Sequence, residues 1–106
     1  MSGPAVTDLA ALLDGQGSAT YREVLRGPGL SLGLFAAGVA HADVQDPHDE
    51  DEVYVVLAGS AVLDLDGAAH PVGAGSVAYV PRGVPHRFRD VTADLRVVVV
   101  FGPPPA

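Results

Sequence analysis

Three side chains able to hold a metal ion, Asp46, His48 and Glu52, fall at even spacing in the run Asp46-Pro47-His48-Asp49-Glu50-Asp51-Glu52, immediately ahead of the apolar run Val53-Tyr54-Val55-Val56-Leu57-Ala58. In an extended chain successive side chains point to opposite sides, so these three share a face. An imidazole and two carboxylates there form a nitrogen and oxygen donor set of the kind that suits Fe, Mn, Ni, Co or Zn. A second imidazole stands in Pro85-His86-Arg87-Phe88-Arg89-Asp90, where alternation places His86, Phe88 and Asp90 on one face and the two arginines on the other. Two histidines and one carboxylate leave coordination positions open, as non-haem Fe(II) oxygenases require. Glu52 doubles as a candidate base if it swings off the ion.

The elements that must carry these residues are short. Thr7 can cap a helix whose Leu9, Leu12 and Leu13 fall on one face, with Gly15 and Gly17 ending it, and that helix would cover part of a barrel. Residues 19–25 and 30–40 read as strands joined by Arg26-Gly27-Pro28-Gly29, and in the second Leu30, Leu32 and Leu34 face one way. Residues 52–58 and 61–66 form a further pair around Gly59-Ser60, and Asp66-Gly67 marks a tight turn. After Gly73-Ala74-Gly75 comes a strand over 76–80, then the turn Pro81-Arg82-Gly83 and the strand that begins after Pro85. Residues 95–101 are apolar on both faces apart from Arg96. About eight strands punctuated by Gly and Pro, with a single helix, argue for a closed antiparallel all-β architecture.

Composition bounds what such a barrel can do. The 106 residues, 48% hydrophobic, suit one domain over 1–106, with 1–18 as helix and lead-in and 102–106 as a Pro-rich tail. Net charge is -7, and the six basic residues are scattered arginines, so neither nucleic acid nor an anionic membrane is an expected partner. The absence of cysteine excludes disulfides, thiolate metal sites and a cysteine nucleophile. Residues 1–16 lack a basic leader pattern, and no apolar run approaches the roughly 20 residues that cross a bilayer. The expectation is a soluble, cytoplasmic protein, and the use of Arg without Lys beside abundant Ala, Gly, Val and Pro suggests a GC-rich bacterial genome.

At these residues the chain resembles the small single-domain cupins, including the quercetin-dioxygenase-like members. Their first motif runs from a Gly through His-x-His and a Glu to a closing Gly; His48 fills the second His position, Glu52 the Glu position and Gly59 the closing Gly. The second motif, a Gly, then Pro-x-Gly and a His, is matched by Gly75, Pro81, Gly83 and His86, with Asp90 where an Asn is usual. The first His position holds Asp46 and the opening Gly position Ala40. The resemblance covers about residues 30–101 and implies a double-stranded β-helix, or jelly roll, with a metal inside. It implies metal ligands His48, Glu52 and His86, the fourth position being open to Asp46, to Gln45 or to water.

Asp43, Asp49, Glu50 and Asp51 read as a solvated acidic loop, and His41 and His70 lie outside the motifs, His70 as a surface turn residue. Phe35, Tyr54, Tyr79 and Phe88 are either plain core or the lining of a pocket for a small, partly apolar ligand. Arg82 can meet an anionic substrate or simply solvent. The resulting expectation is a metal-binding cupin acting as an oxygenase on a small organic substrate; a metal-dependent isomerase or lyase, or a ligand-binding module without turnover, stands beside it. The doubly apolar run 95–101 and the resemblance together point to a homodimer.

Overall fold

The computed structural model describes residues 4–16, 21–37 and 49–105. Over these, α1 (Leu9–Asp14) is followed by β1 (Tyr21–Arg26), β2 (Ser31–Ala37), β3 (Asp51–Ala58), β4 (Ser60–Leu65), β5 (Ala68–Gly73), β6 (Val77–Val80), β7 (His86–Arg89) and β8 (Leu95–Gly102). A five-stranded sheet runs in the order β1-β2-β8-β3-β6, a three-stranded one in the order β5-β4-β7, and every pairing is antiparallel. This is the all-β jelly roll with one short helix. Among the described residues no helix is long and apolar enough to cross a membrane.

Alternation decides which side chains enter the core between the sheets. In β8, Leu95, Val97 and Val99 are buried while Arg96, Val98 and Val100 are half-buried; in β3, Glu52, Tyr54 and Val56 are buried. Residues directly opposite in an antiparallel ladder share a face, so the register carries the division across the sheet. Gly33 and Phe35 stand opposite Val99 and Val97 on the core side; Leu32 and Leu34 stand opposite Val100 and Val98 on the outside. Leu32 and Leu34 thus share a face, as expected, but it is the outer one, and Leu30 precedes the strand half-exposed. Leu34 is nevertheless fully buried, at the place where the end of α1 and Gln16 are tied to the β1–β2 pair. The Gln16 amide donates to Leu34 O at 3.1 Å, and Arg22, opposite Leu34, donates to Leu12 O at 2.6 Å.

The helix differs in its cap. Asp8, not Thr7, is the N-cap, its carboxylate accepting from the Ala11 amide at 3.2 Å, while Leu12 N donates to Asp8 O at 3.0 Å and so fixes the first turn there. Gly15 is the C-cap; Gly17 lies outside the described residues. None of the six helical residues is fully buried, so polar tethers rather than a deep apolar face hold α1 in place.

β8 is central: it pairs with β2 on one side and β3 on the other, so its backbone offers no open ladder. One further expectation is corrected. His70 is not in a turn, although it is exposed; it lies within β5 opposite Leu63 and helps line a cavity of about 410 Å³ with Leu65, Val72, Ala78 and Tyr79. The turn Asp66-Gly67 is as expected, with φ of 50° and 84°, the pattern of a two-residue hairpin turn.

Candidate metal centre

β7 has only four residues, and its alternation is as anticipated for the first three: His86 and Phe88 are buried, Arg87 is exposed. Asp90 does not join the His86 face. It lies past the strand end in a left-handed conformation, φ 51°, exposed and paired with Arg89 at 2.9 Å. On the outer side Asp64 of β4 takes Arg89 at 2.8 Å and Arg87 at 3.3 Å, and these hydrogen bonds, Arg89 foremost, hold its carboxyl below the usual carboxylate range. They fasten β7 to β4 and so fix the strand that carries His86. Inside, Phe88 lies 4.9 Å from Tyr54 and stacks on Phe35 at 6.0 Å, and Tyr54 is 6.2 Å from the His86 ring. Such aromatic pairs add about 0.5–1.5 kcal/mol each beyond burial. Phe35, Tyr54 and Phe88 are therefore core, whereas Tyr79 is exposed on the outside.

Glu52, near the start of β3, and His86, at the start of β7, come from different sheets and meet between them. Glu52 Oε1 and His86 Nε2 are 3.2 Å apart, and each side chain is 1% exposed. The other ring nitrogen, Nδ1, lies 2.8 Å from Val84 O. A carbonyl oxygen can only accept, so Nδ1 carries the hydrogen and Nε2 is the nitrogen that can take up a proton or a metal ion. A bare Nε2 lone pair facing a carboxylate would be repelled; a cation shared by the two removes the conflict, whether that cation is a proton or a metal. Two donors each about 2.1 Å from one ion stand roughly 3 Å apart, which the observed separation matches. A metal-binding histidine that gives its second N–H to a backbone carbonyl is the usual supporting arrangement. The residues present fit a metal.

The loop between β6 and β7 sets this geometry. Val84 N donates to Pro81 O at 3.2 Å, closing the Pro81-Arg82-Gly83 turn, and Asp66 N donates to Pro85 O at 2.9 Å. Arg82 N donates to Asp51 Oδ1 at 2.9 Å, with the guanidinium 3.9 Å from the same carboxylate. Asp51, expected to be only a solvated acid, thus ties the second motif's turn to the residue beside Glu52. Its position next to Glu52 was the one signal for that role. Nothing in the side-chain types announced that the Val84 carbonyl selects the histidine tautomer.

Of the sequence-derived ligands, Glu52 and His86 are brought together; Asp46, His48 and the alternative Gln45 lie outside the described residues, as does His41. Among the described residues no cluster of three or more His, Asp or Glu side chains forms.

The cupin domain profile matches residues 34–101, a span that runs from within β2 through β8 and holds the Glu52–His86 pair. The chain belongs to the cupin family. This cupin is 45% identical over 84 residues to the uncharacterized protein SCO3923 of Streptomyces coelicolor, over 79% of this chain and 80% of that one. An RmlC-like cupin from Desulfovibrio desulfuricans matches it with a TM-score of 0.69 and 27% identity, over 80% of this chain and 82% of that one. TT1209 from Thermus thermophilus matches with a TM-score of 0.77 over 94% of this chain and 98% of that one; at 24% identity that likeness speaks to the fold alone.

Proposed function

We propose that this cupin is a metal-dependent enzyme, a non-haem oxygenase acting on a small organic substrate, with His48, Glu52 and His86 as ligands of one divalent transition ion. The observation that supports it most is the buried Glu52–His86 pair, whose Nδ1 anchor at Val84 leaves Nε2 and a carboxylate oxygen converging 3.2 Å apart. An ion held there supplies Lewis-acid polarisation or, as Fe(II), the capacity to use dioxygen. The chain's own contribution is to hold both donors in fixed orientation, to exclude water with Phe35, Tyr54 and Phe88, and to keep Glu52 as a base beside the ligand. Metal analysis of protein purified without added metal, with oxygen uptake over a panel of small substrates, tests the proposal. Metal-free protein would overturn it; bound metal without oxygen uptake on any substrate would move the activity to metal-dependent isomerisation or elimination.

Asp46 stays off the ion in this proposal, because Pro47 lacks a backbone N–H and interrupts the alternation that would aim Asp46 inward. Asp46→Ala is expected to keep its metal content and activity. Loss of metal in that variant would make Asp46 a ligand, with one open position fewer and a less Lewis-acidic ion.

The homodimer belongs to this proposal as well. On the outer face of the five-stranded sheet the registers align Leu32 and Val100 with Val53 and Tyr79, and Val98 with Val55 and Val77; Val77 is 69% and Tyr79 58% exposed. With a net charge of -7, copies repel over most of their surface, and this uncharged patch is where a second copy can dock. Light scattering at micromolar concentration is expected to give twice the chain mass; a monomer would count against it.

A further inference from the structure

β2 has a glycine, Gly33, in its middle on the core side, where a strand would ordinarily place a packing side chain. The reason is Tyr21. It stands opposite Phe35 and so faces the core side of β1, and its ring runs along the sheet until the phenol end lies over Gly33. A Cβ at position 33 would collide with the phenol oxygen and the adjoining ring carbons. The ring meets Phe101 edge-on at 6.4 Å, and Phe101 stands opposite Glu52 in the β3–β8 ladder. Tyr21 is therefore on the wall that leads to Glu52. Its phenol is held above the ordinary tyrosine value by burial first, then by the charges of Glu23 and Glu52, so it stays an O–H donor at neutral pH. Among the described residues its hydroxyl makes no hydrogen bond.

A second hydroxyl lies on the same wall. Ser31 stands opposite Phe101, which stands opposite Glu52, so the three form one row on the core side. Ser31 is 0% exposed, and its Oγ has no hydrogen-bond partner. A buried hydroxyl without a partner is costly and rare, and a ligand oxygen is one way to satisfy it.

We propose that this wall of β1, β2 and the end of β8 receives the ligand. The Tyr21 and Ser31 hydroxyls donate to an oxygen acceptor, a carboxylate, enolate or phenolate, on a small molecule whose apolar body packs on Phe101. The inference rests on the metal-centre reading above, since the Glu52–His86 centre holds the other end of that molecule.

The test uses the zinc-loaded protein titrated with 4-nitrocatechol, an aromatic oxygen donor whose visible absorption reports binding, with zinc content and thermal midpoint measured first. Tyr21→Phe and Ser31→Ala are expected to retain zinc and fold while binding the probe about tenfold more weakly, the loss that follows from removing one hydrogen bond to an ionised oxygen. Gly33→Ala should reproduce the Tyr21→Phe loss with the tyrosine still present, because its methyl displaces the ring. Tyr79→Phe, on the outer face, should bind as the parent does. Equal affinity in the parent, Tyr21→Phe and Ser31→Ala at equal zinc content would overturn the ligand wall while leaving the metal centre standing, and so would a zinc-loaded parent that binds no probe. Failure of the parent to hold zinc would overturn the metal centre itself, and the wall with it.

Discussion

Replacing His86 by alanine is expected to abolish metal binding and to lower the thermal midpoint while the barrel still folds. The first effect follows from donor count: His86 supplies Nε2, which lies 3.2 Å from the Glu52 carboxylate, and alanine offers no donor in its place. The second follows from what is left behind. Glu52 is buried among Tyr54, Val80 and Phe101, and removing a partner of a buried polar group costs about 1–3 kcal/mol. For a domain of this size each kcal/mol moves the midpoint by roughly 4–8 °C, so a fall of at least ~4 °C is expected by calorimetry. The core of Leu63, Val80, Leu95, Val97 and Val99 is untouched, which is why folding itself survives. His86→Gln refills the volume and offers an amide to Glu52, and it should recover part of the midpoint without recovering the metal. An unchanged metal content in His86→Ala would refute the ligand assignment.

Much of this site can be read in the sequence because its features are local. Pro85 followed by strict alternation announces a short strand with His86 and Phe88 inward, and Asp66-Gly67 can hardly be anything but a hairpin turn. What the sequence leaves open depends on contacts between distant segments. Leu32 and Leu34 alternate with Gly33 and Phe35, and period 2 marks two faces without saying which is core; pairing with β8 decides it. Thr7 and Asp8 are both good caps, and only the hydrogen bonds of the first turn choose between them. The doubly apolar β8 is compatible with an exposed edge or a central strand, and the strand order alone resolves that. Tyr21 carries no motif at all, and only Gly33, over which its ring end lies, marks it out.

Gly59→Ala is expected to be among the most destabilising single-methyl changes in the chain. Gly59 lies between β3 and β4 with φ 77°, a conformation that costs a residue with a Cβ about 1–2 kcal/mol. That is the smaller part. A Cβ there would lie 2.6 Å from both Leu95 Cα and Leu95 N, and 2.8 Å from Asp94 C, which are backbone atoms that cannot rotate aside. Retreat of the turn is opposed on both sides. Ser60 N donates to Thr92 Oγ1 at 2.9 Å, Thr92 N donates to Ser60 O at 3.0 Å, and Leu95, fully buried, begins the central strand β8. Overpacking of this kind typically adds 1–3 kcal/mol, bringing the total to about 2–5 kcal/mol against a domain stability of order 5–15 kcal/mol. Gly67→Ala separates the two contributions, because Gly67 has φ 84° but open space where its Cβ would be. Chemical denaturation should therefore show Gly67→Ala losing only the conformational part and Gly59→Ala losing at least twice as much. Equal losses would mean that the close approach of the β3–β4 turn to Leu95 is not what requires glycine at the end of the first motif.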